Sequence, residues 1–576
     1  MCGLFVSNIN KLELNELHEL LEHRGPDGYG FQTVDDVLFY HTRLSIIDTS
    51  ACAKQPMQSK CGRYILCFNG EIYNYKELRA KYLKNFEFIS SGDTEVLLHL
   101  LITKGHEIIP MLEGMFAFVF YDKNKKTIIA SRDRFGTKPL FYHLTDLGFC
   151  FSSSFLAVAR EIESSKTFNP IEVSRFLRSG SMVGRNTLID GIYSVKPGEI
   201  VLLNVRKKRP IFKNYNRYEI FSFDTQDLSQ SSGFVEGQIK TSFTSDVEVG
   251  CLLSGGIDSA LIANILSERG QIRIKTFNVK FNFKKNSIDS EIAREIASEL
   301  NTDHYEYEVN DTNLKNEVME YLQRKSIPSL DGFNTYVACK LASKYVKVVC
   351  SGVGADELFM GYPHHVKAVL GESNTKKKLP IRSRIKASIV NIFREKGTKT
   401  DVPEKIVFDH RQLPAQTKIY TDGNLDYHQR TILAETDNYL ANTLLLDSDH
   451  SSMLNSLELR PCFLTPGMFN LAMSLPTEEA ICVEMNKPFM RRYLEPLIPK
   501  MALQNKTKYG FDTPIRQMVN CVFSISIYRY LLMKRKLLGL SAGKIILSYF
   551  KCCLGLAGNS EWLLINLYYF HIRLAR

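Results

Sequence analysis

The sequence predicts an α/β protein with two principal domains and a helical carboxyl-terminal part. Three observations support this: the length of the chain, a first third rich in short strand-like runs, and an alternation of strands and helices after it. At 576 residues the chain is too long for one hydrophobic core, so two or three domains are expected. The strand-like runs, rich in β-branched and aromatic residues, are Tyr64–Phe68, Phe116–Tyr121, Thr127–Ser131, Phe149–Ser153 and Glu199–Leu203.

Strands and helices alternate in the second part of the chain. Val247–Leu253, Ile274–Phe281 and Val346–Cys350 are strand-like, whereas Ala260–Arg269 and Ser290–Leu300 have the apolar spacing of helices. Such alternation is typical of a parallel sheet covered by helices. Farther along, apolar residues recur at intervals of three and four, which predicts a mostly helical remainder.

A polar stretch separates the two parts. Residues Phe221–Gly233 are rich in Ser, Gln and Asp, as is typical of a linker. We therefore predict a first domain over residues 2–200, a linker over 201–235, a second domain over 236–520 and a basic helical extension over 521–576.

Composition excludes several classes of protein. Hydrophobic residues at 44% and charged residues at 23% exclude wholesale disorder. The longest stretch without a charged residue, Pro461–Thr477, is interrupted by prolines and is too short for a membrane span. No secretory signal is recognised at the start of the chain. Thirteen scattered cysteines predict free thiols in a reducing compartment, and hence a cytoplasmic location.

The net charge of +11 is concentrated at the end of the chain. Residues 521–576 hold eight Lys/Arg against a single acid, Glu561. Such a tail is either a surface for membrane headgroups or nucleic acid, or the solvated face of an amphipathic helical end. The second interpretation is favoured, so no nucleic-acid partner is expected. Its docking residues at helical spacing would be Leu563, Leu564, Leu567 and Phe570.

Cys2 is the first candidate for chemistry. If Met1 is removed, Cys2 carries both a thiol and a free α-amine. An α-amine with a pKa of about 7.7–8.0 accepts a proton near neutral pH, so one residue supplies the nucleophile and its base. A penultimate cysteine on its own is more typical of a small buried residue, and its neighbours change this interpretation.

The motifs that follow Cys2-Gly3 are Arg24-Gly25-Pro26-Asp27, Arg43-Leu44, Asn69-Gly70-Glu71 and Gly92-Asp93. In this order they resemble the glutaminase domain of amidotransferases with an N-terminal nucleophile, and the resemblance covers residues 1–160. It implies an N-terminal nucleophile fold of two sheets between helices (αββα) and the hydrolysis of glutamine.

The resemblance also implies roles for these residues. Cys2 would attack the side-chain amide of glutamine and form a thioester, while Asn69 and the backbone N–H of Gly70 stabilise the oxyanion. Arg43 would pair with the α-carboxylate of glutamine. Glu71 and Asp93 would hold its α-ammonium. The full implied glutamine-binding set is Arg43, Leu44, Ile46, Asn69, Gly70, Glu71 and Asp93.

The second candidate site is the loop Leu252–Ser259, which follows a strand and opens a helix. Its glycines let the backbone approach a polyphosphate, and the helix N-terminus offers free N–H groups to it. The loop lacks the Gly-Lys-Ser/Thr of a Walker-type site. A plain strand-to-helix turn is the alternative. The loop resembles the pyrophosphate loop of ATP-dependent adenylating enzymes.

A partner loop, Ser351–Phe359, follows the strand Val346–Cys350. Loops after parallel strands meet at the carboxyl edge of the sheet, so Asp258 and Asp356 are the expected Mg²⁺ ligands. Lys508 is the candidate cation that stabilises negative charge during amide formation, with a solvated lysine as the alternative. The implied ATP-binding set is Leu253, Ser254, Gly255, Gly256, Asp258, Ser259, Val279, Ser351 and Gly352.

Almost the whole chain resembles the glutamine-hydrolysing asparagine synthetase family. Ser456-Leu457-Glu458, Arg460-Pro461, Lys487 and Arg491 also match its pattern. The resemblance implies an ATP-pyrophosphatase-type α/β second domain and an ATP-dependent ligase that forms AMP and pyrophosphate. It implies ATP and Mg²⁺ as cofactors, glutamine and a carboxylate acceptor as partners, and a homodimer as a possible assembly.

Two positions depart from the family pattern. Val353 and Thr465 stand where the family carries acids. Three hypotheses remain: an asparagine synthetase, an amidotransferase for another carboxylate such as a uronic acid of a surface polysaccharide, and a glutaminase or scaffold without synthetic activity. Intact Cys2 and Ser254–Ser259 weigh against the third, whereas the two departures favour the second over the first.

Overall fold

The computed structural model describes residues 2–162, 167–207, 209–215, 228–268, 273–283, 288–365, 425–504, 513–554 and 556–575. Lys508 lies outside the described residues.

The first domain contains two antiparallel sheets of six strands. The first has the order β10-β8-β9-β1-β3-β2 and the second the order β12-β11-β7-β6-β5-β4. The strands are β1 (Gly3–Ser7), β2 (Gly28–Val34), β3 (Val37–Arg43), β4 (Met57–Gln58), β5 (Tyr64–Ile72), β6 (Gly114–Asp122), β7 (Thr127–Arg132), β8 (Phe141–Leu144), β9 (Phe149–Ser152), β10 (Tyr193–Ser194), β11 (Glu199–Asn204) and β12 (Arg209–Asn214).

The two sheets pack face to face through alternate residues of their central strands. Leu4 and Phe39 of the first sheet share one buried cluster with Cys67, Val119 and Val201 of the second. Because side chains alternate between the faces of a strand, the remaining apolar residues point outward and are covered by helices.

Helices cover both outer faces. Leu17 of α1 and Phe155 of α4 pack with Tyr40 on the first sheet, while Leu97 of α3 packs with Phe68 on the second. The predicted αββα arrangement is thereby confirmed. The helices are α1 (Leu14–Leu21), α2 (Tyr75–Tyr82), α3 (Asp93–Lys104), α4 (Phe155–Glu161) and α5 (Pro170–Ser179).

The second domain is built on a parallel sheet of five strands in the order β15-β14-β13-β16-β17. Its central strand β13 is followed by a helix that is buried along most of its length, as expected for strands covered by helices on both faces. The strands are β13 (Val249–Leu252), β14 (Lys275–Phe281), β15 (Asp303–Val309), β16 (Val348–Ser351) and β17 (Glu458–Pro461).

Helices and their connecting loops make up the rest of the described chain, and a π-helix over Thr436–Leu444 joins two of the helices. They are α6 (Ser231–Thr241), α7 (Ile257–Ser267), α8 (Ile288–Glu299), α9 (Leu314–Arg324), α10 (Phe333–Ala342), α11 (Ala355–Leu358), α12 (Tyr427–Glu435), α13 (Leu445–Met453), α14 (Pro466–Ser474), α15 (Thr477–Ala480), α16 (Pro488–Tyr493), α17 (Lys500–Gln504), α18 (Ile515–Val522), α19 (Ile525–Met533), α20 (Ala542–Cys553) and α21 (Asn559–Ala575).

The structure differs from the sequence-based linker over 201–235 at both of its ends. Strands β11 and β12 extend the second sheet of the first domain to Asn214, and α6 already begins at Ser231. Strand β12 is an edge strand in which every residue is exposed or half-exposed. It therefore lacks the apolar alternation by which a half-buried strand is recognised.

The last helix packs against both domains. Trp562 is buried and donates its indole N–H to the Leu330 carbonyl of the second domain at 3.1 Å. Phe570 stacks on Phe155 of the first domain with ring centroids 5.5 Å apart. The four residues predicted to dock the tail, Leu563, Leu564, Leu567 and Phe570, are all buried. Among the helices of the described ranges, none is both long and apolar enough to cross a bilayer.

Candidate active sites

Cys2 is buried directly before β1, where it contacts Asn69 of β5 and Arg24. Its backbone N–H donates to Asn69 Oδ1 at 3.0 Å, and its carbonyl accepts from Arg24 Nε at 3.2 Å. Burial raises the pKa of the Cys2 thiol, although the positive charge of the chain terminus and the backbone N–H of Leu44 oppose the rise. The thiol is therefore held in place mostly protonated, and its reaction requires a base.

Asn69 and Gly70 stand at the middle of β5, beside Cys2. Asn69 is fully buried and its Nδ2 has no hydrogen-bond partner among the described residues. Gly70 has a φ of +148°, and a Cβ there would lie 2.0 Å from the Met115 carbonyl oxygen, so no other residue fits. A buried donor without a partner costs about 1–3 kcal/mol. The Asn69 amide is therefore available to donate a hydrogen bond to a ligand bound at this site.

Two buried carboxylates lie on the same side of this site. Burial raises the pKa of Asp93 to about 6, even though its Oδ2 accepts the Ile72 N–H at 2.8 Å. Burial, and then the charge of Asp93, raises the pKa of Glu71 well above its usual value. Two neighbouring negative charges in a low-dielectric site favour the binding of a cation. The α-ammonium group of an amino acid would be such a cation.

The second domain contributes charge to this first site. Arg460 and Glu458 are fully buried on β17, where Arg460 Nε donates to Glu458 Oε1 at 2.6 Å. Burial would raise the pKa of Glu458, but the guanidinium outweighs it and holds the pKa at about 2. Arg460 Nη2 lies 3.9 Å from Glu71 Oε1, too far for a hydrogen bond. The sequence pattern included both residues but indicated no role for them.

Arg43, expected to bind an α-carboxylate, contacts its own loop. Its Nη1 donates to the Ser50 carbonyl at 2.7 Å, and its Nη2 donates to the Asp48 carbonyl. The same loop is fixed to the second domain, because the Asp48 N–H donates to Asp246 Oδ2 at 2.7 Å. Leu44 and Ile46, also in the predicted set, are buried in the core beneath α3. Both terminal nitrogens of the Arg43 guanidinium therefore donate to backbone carbonyl oxygens.

The motif that begins at Arg24 connects the two domains. Arg24 Nη2 donates to Asp449 Oδ2 on α13 at 2.9 Å, and both side chains are buried. Lys138 Nζ lies 3.5 Å from the other oxygen of Asp449. Asp27, at the end of the motif, accepts from Lys347 Nζ of the second domain at 2.7 Å. Arg24, which donates to the Cys2 carbonyl, thus forms an ion pair across the domain boundary.

The predicted pyrophosphate loop joins β13 to α7 and is preorganised by its own hydroxyls. Ser259 Oγ accepts the Ser254 N–H at 3.2 Å and donates to the Gly256 carbonyl at 3.0 Å. Gly255 has a φ of +81°, and a Cβ there would lie 2.4 Å from the Asp289 carbonyl oxygen. Gly256 precedes the first turn of α7, so the free N–H groups of a helix N-terminus face the loop, as in anion sites.

Asp258 and Asp356, the predicted metal ligands, face one buried lysine. Lys487 Nζ lies 2.5 Å from Asp258 Oδ1 and 2.7 Å from Asp356 Oδ1, and Lys487 is almost fully buried. A Cβ at Gly361 would lie 1.9 Å from Asp356 Oδ1, so a larger residue there would displace this carboxylate. Two hard-oxygen carboxylates converging on one cation fit the ligand preference of Mg²⁺ beside phosphates.

The other four residues of the implied ATP-binding set lie on three neighbouring strands or directly after them: Leu253, Val279, Ser351 and Gly352. Leu253 follows β13 and donates its N–H to the Phe277 carbonyl at 2.8 Å, while Val279 lies in β14. Ser351 ends β16, and a Cβ at the following Gly352 would be 2.9 Å from Asp258 Cβ. The structure therefore brings both predicted loops and these residues together at one edge of the sheet.

A further polar group lies next to this edge. Glu357 is buried, accepts from the Tyr362 hydroxyl at 2.6 Å, and burial raises its pKa to about 7. Beyond it, His364 Nε2 and His365 Nε2 lie 3.2 and 3.3 Å from Glu435 Oε1. Within the described ranges, this is the one group of three His, Cys, Asp or Glu side chains whose ligand atoms lie within 4.8 Å of one another. No motif in the sequence indicated it.

The structure accounts for Thr465 but not for Val353. Thr465 is the N-cap of α14: its Oγ1 accepts the Met468 N–H at 3.1 Å and donates to Gln238 Oε1 at 2.6 Å. Asp and Thr are both good N-caps, so this departure needs no change of substrate. Val353 lies in the loop after β16 and is half-buried against the core. It carries no group able to donate or accept a proton.

Comparison with known proteins covers both domains. The Glutamine amidotransferase domain family matches residues 1–216, and the Asparagine synthase family matches residues 234–530. "Asparagine synthetase (glutamine-hydrolyzing) 1" of Bacillus subtilis (strain 168) is 30% identical over 90% of this chain and 87% of its own. "Asparagine synthetase B (glutamine-hydrolyzing)" of Escherichia coli (strain K12) is 27% identical over 74% and 77%. "Amidase chry2" of Gibberella zeae is 30% identical over 61% and 55%.

The raised pKa values of Glu71 and Asp93 predict how glutamine binding depends on pH. If these carboxylates hold the α-ammonium of glutamine in their ionised form, binding releases protons and weakens as pH falls through the pKa of Asp93, about 6. At pH 5 about a tenth of such a carboxyl is ionised, so the Kd for glutamine should rise about tenfold relative to pH 7. Calorimetric titration of the Cys2→Ala variant with glutamine measures this without turnover.

The Asp93→Asn variant is the control for this titration. This variant should bind glutamine more weakly at neutral pH, and its Kd for glutamine should depend much less on pH because the titrating carboxyl is gone. A Kd for glutamine that stays constant between neutral and mildly acidic pH would contradict the assignment of these carboxylates.

Proposed function

Because this chain belongs to the family of glutamine-hydrolysing asparagine synthetases, we propose that it hydrolyses glutamine and uses the ammonia to amidate a carboxylate that ATP has activated. The observation that carries the proposal is Arg24, which holds the Cys2 carbonyl and pairs with Asp449 of the ATP domain. Two half-reactions that share an intermediate need two sites held at a fixed separation, and a buried ion pair provides this.

The glutaminase step follows from the groups around Cys2. The Cys2 α-amine, free once Met1 is removed, takes the thiol proton, and the thiolate attacks the side-chain amide of glutamine. Asn69 Nδ2 and the Gly70 N–H donate to the oxyanion, where one such donor is worth about 10²–10³ in kcat. The C–N bond breaks as the α-ammonium of Cys2 returns the proton to the leaving nitrogen, so that ammonia leaves. Water then hydrolyses the thioester to glutamate and the free thiol. Glu71 and Asp93 hold the substrate by its ammonium group.

A cavity between the domains supports the transfer of ammonia. It has a volume of about 10 Å³ and is lined from the first domain by His23, Arg24 and Ser153, and from the second by Ser326, Asp449 and His450 among others. That volume holds about one molecule of the size of water, and ammonia is of similar size. A route away from solvent matters because ammonia released into water at neutral pH becomes ammonium, which is not a nucleophile.

In the ATP site, the loop Ser254–Ser259 binds the pyrophosphate through backbone N–H groups and hydroxyls. Asp258 and Asp356 would hold Mg²⁺, which neutralises phosphate charge when bound. Lys487 supplies a positive charge to the same carboxylates. Lys508, outside the described residues, is proposed to stabilise the charge that develops as the amide forms.

Aspartate is the first candidate for the acceptor, because several relatives bear the name asparagine synthetase. A second candidate is another carboxylate, such as a uronic acid. The observation that favours it is Val353, since an acid at this position provides a hydrogen bond or a proton transfer, a role worth about 10²–10⁴ in rate. An acceptor with its own hydroxyl groups near the reacting carboxylate would need that acid less.

The Cys2→Ala variant should separate the two half-reactions. It should lose glutamine-dependent synthesis and keep ammonia-dependent synthesis, because the nucleophile takes no part in adenylation. Cys2→Ser should resemble it, since a hydroxyl is much harder to deprotonate than a thiol. Both activities are measured as AMP formation with glutamine or ammonium chloride, and Cys52→Ala, at an exposed cysteine of the same domain, is the control. Retained glutaminase activity in Cys2→Ala would refute the assignment.

The Asp258→Asn variant should have the opposite effect. Loss of one carboxylate weakens Mg²⁺–pyrophosphate binding, so ATP–pyrophosphate exchange should fall by at least about tenfold while glutaminase turnover persists. Asp311→Asn, on the exposed surface of the same domain, is the matched control. Normal exchange by Asp258→Asn would mean that this loop does not bind pyrophosphate.

The acceptor is identified by ATP–pyrophosphate exchange with aspartate, free uronic acids and nucleotide-linked uronic acids. Aspartate should support exchange, and Thr465→Asp should leave the acceptor preference unchanged because both residues cap α14. Val353→Glu tests the missing acid directly. Faster exchange with a uronic acid than with aspartate would identify the uronic acid as the acceptor. If no carboxylate supports exchange, the protein is a glutaminase without synthetic activity.

A further inference from the structure

Helices α19 and α20 carry an apolar surface that neither site uses. The described residues include seventeen exposed large apolar side chains, and six of them fall between residues 525 and 554. Met533 is 72% exposed and Phe550 51%. We call these six residues the α19–α20 face: Ile525, Met533, Leu537, Ile546, Phe550 and Leu554.

The exposure follows from helical geometry. In α20, Ile545 and Cys552 are buried against the protein, whereas Ile546, Phe550 and the following Leu554 are spaced by four and are exposed. Residues at this spacing share one side of a helix.

Helix α19 repeats the arrangement. Tyr528 and Leu531 are buried, while Ile525, Arg529 and Met533 are spaced by four on the exposed side. Both helices therefore carry large apolar side chains on the solvent side as well as on the packed side, which solvation alone does not explain.

The same stretch is strongly basic. Residues 521–554 contain six Lys/Arg and no Asp or Glu. Arg529, Lys534, Lys536 and Lys544 are exposed. Within the part of the chain that the structure describes, Lys551 alone of the six forms an ion pair, with Glu561 at 3.7 Å. Exposed cations and exposed apolar residues thus occur together in this one stretch of the chain.

The positive charge of the α19–α20 face indicates which kind of partner binds to it. A second copy presenting the same face would bring like charges together. Residues 366–424, outside the described part, carry thirteen Lys/Arg against six Asp/Glu, so this segment does not complement the face either. A polyanion does. Large aliphatic side chains among the cations favour a lipid surface over nucleic acid, because a lipid surface takes up apolar side chains as well as cations.

We propose that the α19–α20 face docks the protein on an anionic lipid bilayer. The two helices lie flat on the interface, with Ile546, Phe550 and Leu554 inserted between headgroups and the lysines beside lipid phosphates. Such binding is peripheral, and it is compatible with helices too short to cross a bilayer.

Sedimentation of the full chain with vesicles tests the proposal. Vesicles of phosphatidylcholine mixed with phosphatidylglycerol should carry the protein into the pellet at low salt, and vesicles of phosphatidylcholine alone should not. Each lysine near an anionic surface contributes about fivefold to partitioning. The triple variant Lys534→Gln/Lys536→Gln/Lys544→Gln should therefore bind about a hundredfold more weakly. Ile546→Ser/Phe550→Ser/Leu554→Ser should bind at least about tenfold more weakly, at high salt as well.

Matched controls come from the first domain. Leu147→Ser removes an apolar side chain that is 92% exposed, and Lys84→Gln removes an exposed lysine; neither should change vesicle binding. All variants should retain glutaminase activity in solution, which shows that they are folded.

Three results would overturn the proposal. They are equal sedimentation with both vesicle types, binding of duplex DNA that the apolar triple variant leaves unchanged, and a dimer in solution that the same variant converts to monomer. The last two would assign the face to nucleic acid or to a second copy.

Discussion

The arrangement of the two sites depends on the buried ion pair between Arg24 and Asp449. Both side chains are almost inaccessible, and Lys138 completes the group. Removing one member of such a pair leaves an uncompensated charge in a low-dielectric interior, at a cost of about 3–5 kcal/mol. Because Arg24 also binds the Cys2 carbonyl, the position of the proposed nucleophile and the docking of the two domains depend on one guanidinium.

A second junction gives the proposed glutamine site its electrostatic character. Arg460 is fixed by the Ser242 and Thr244 carbonyls of the second domain and by Glu458, and its charge lies beside Glu71 of the first. The first domain alone would therefore present Glu71 and Asp93 without this neighbouring cation. The fold thus divides one binding site between two chain segments more than 300 residues apart, and neither segment has the site's charge by itself.

Sequence patterns were sufficient to predict elements whose local structure is determined by a motif or an apolar run. The strands β5, β6 and β7, the loop at Ser254 and the carboxylates Asp258 and Asp356 follow from such patterns. Contacts that arise only when distant segments meet were not predictable: the Lys487 bridge, the Glu458–Arg460 pair and the engagement of Arg43 by loop carbonyls. Strand β12 was missed because an exposed edge strand has no buried face, and the N-cap role of Thr465 became evident only when α14 was placed.

The position of α21 has a consequence for the order of assembly during synthesis. This helix follows both domains in the chain, yet it buries Phe570 against Phe155 of the first domain and Trp562 beneath Leu330 of the second. On the ribosome, where domains generally fold as they emerge, both domains are complete before the helix that covers them exists. The apolar groove that receives α21 is exposed during that interval, and it is then the part of the nascent protein most in need of a chaperone.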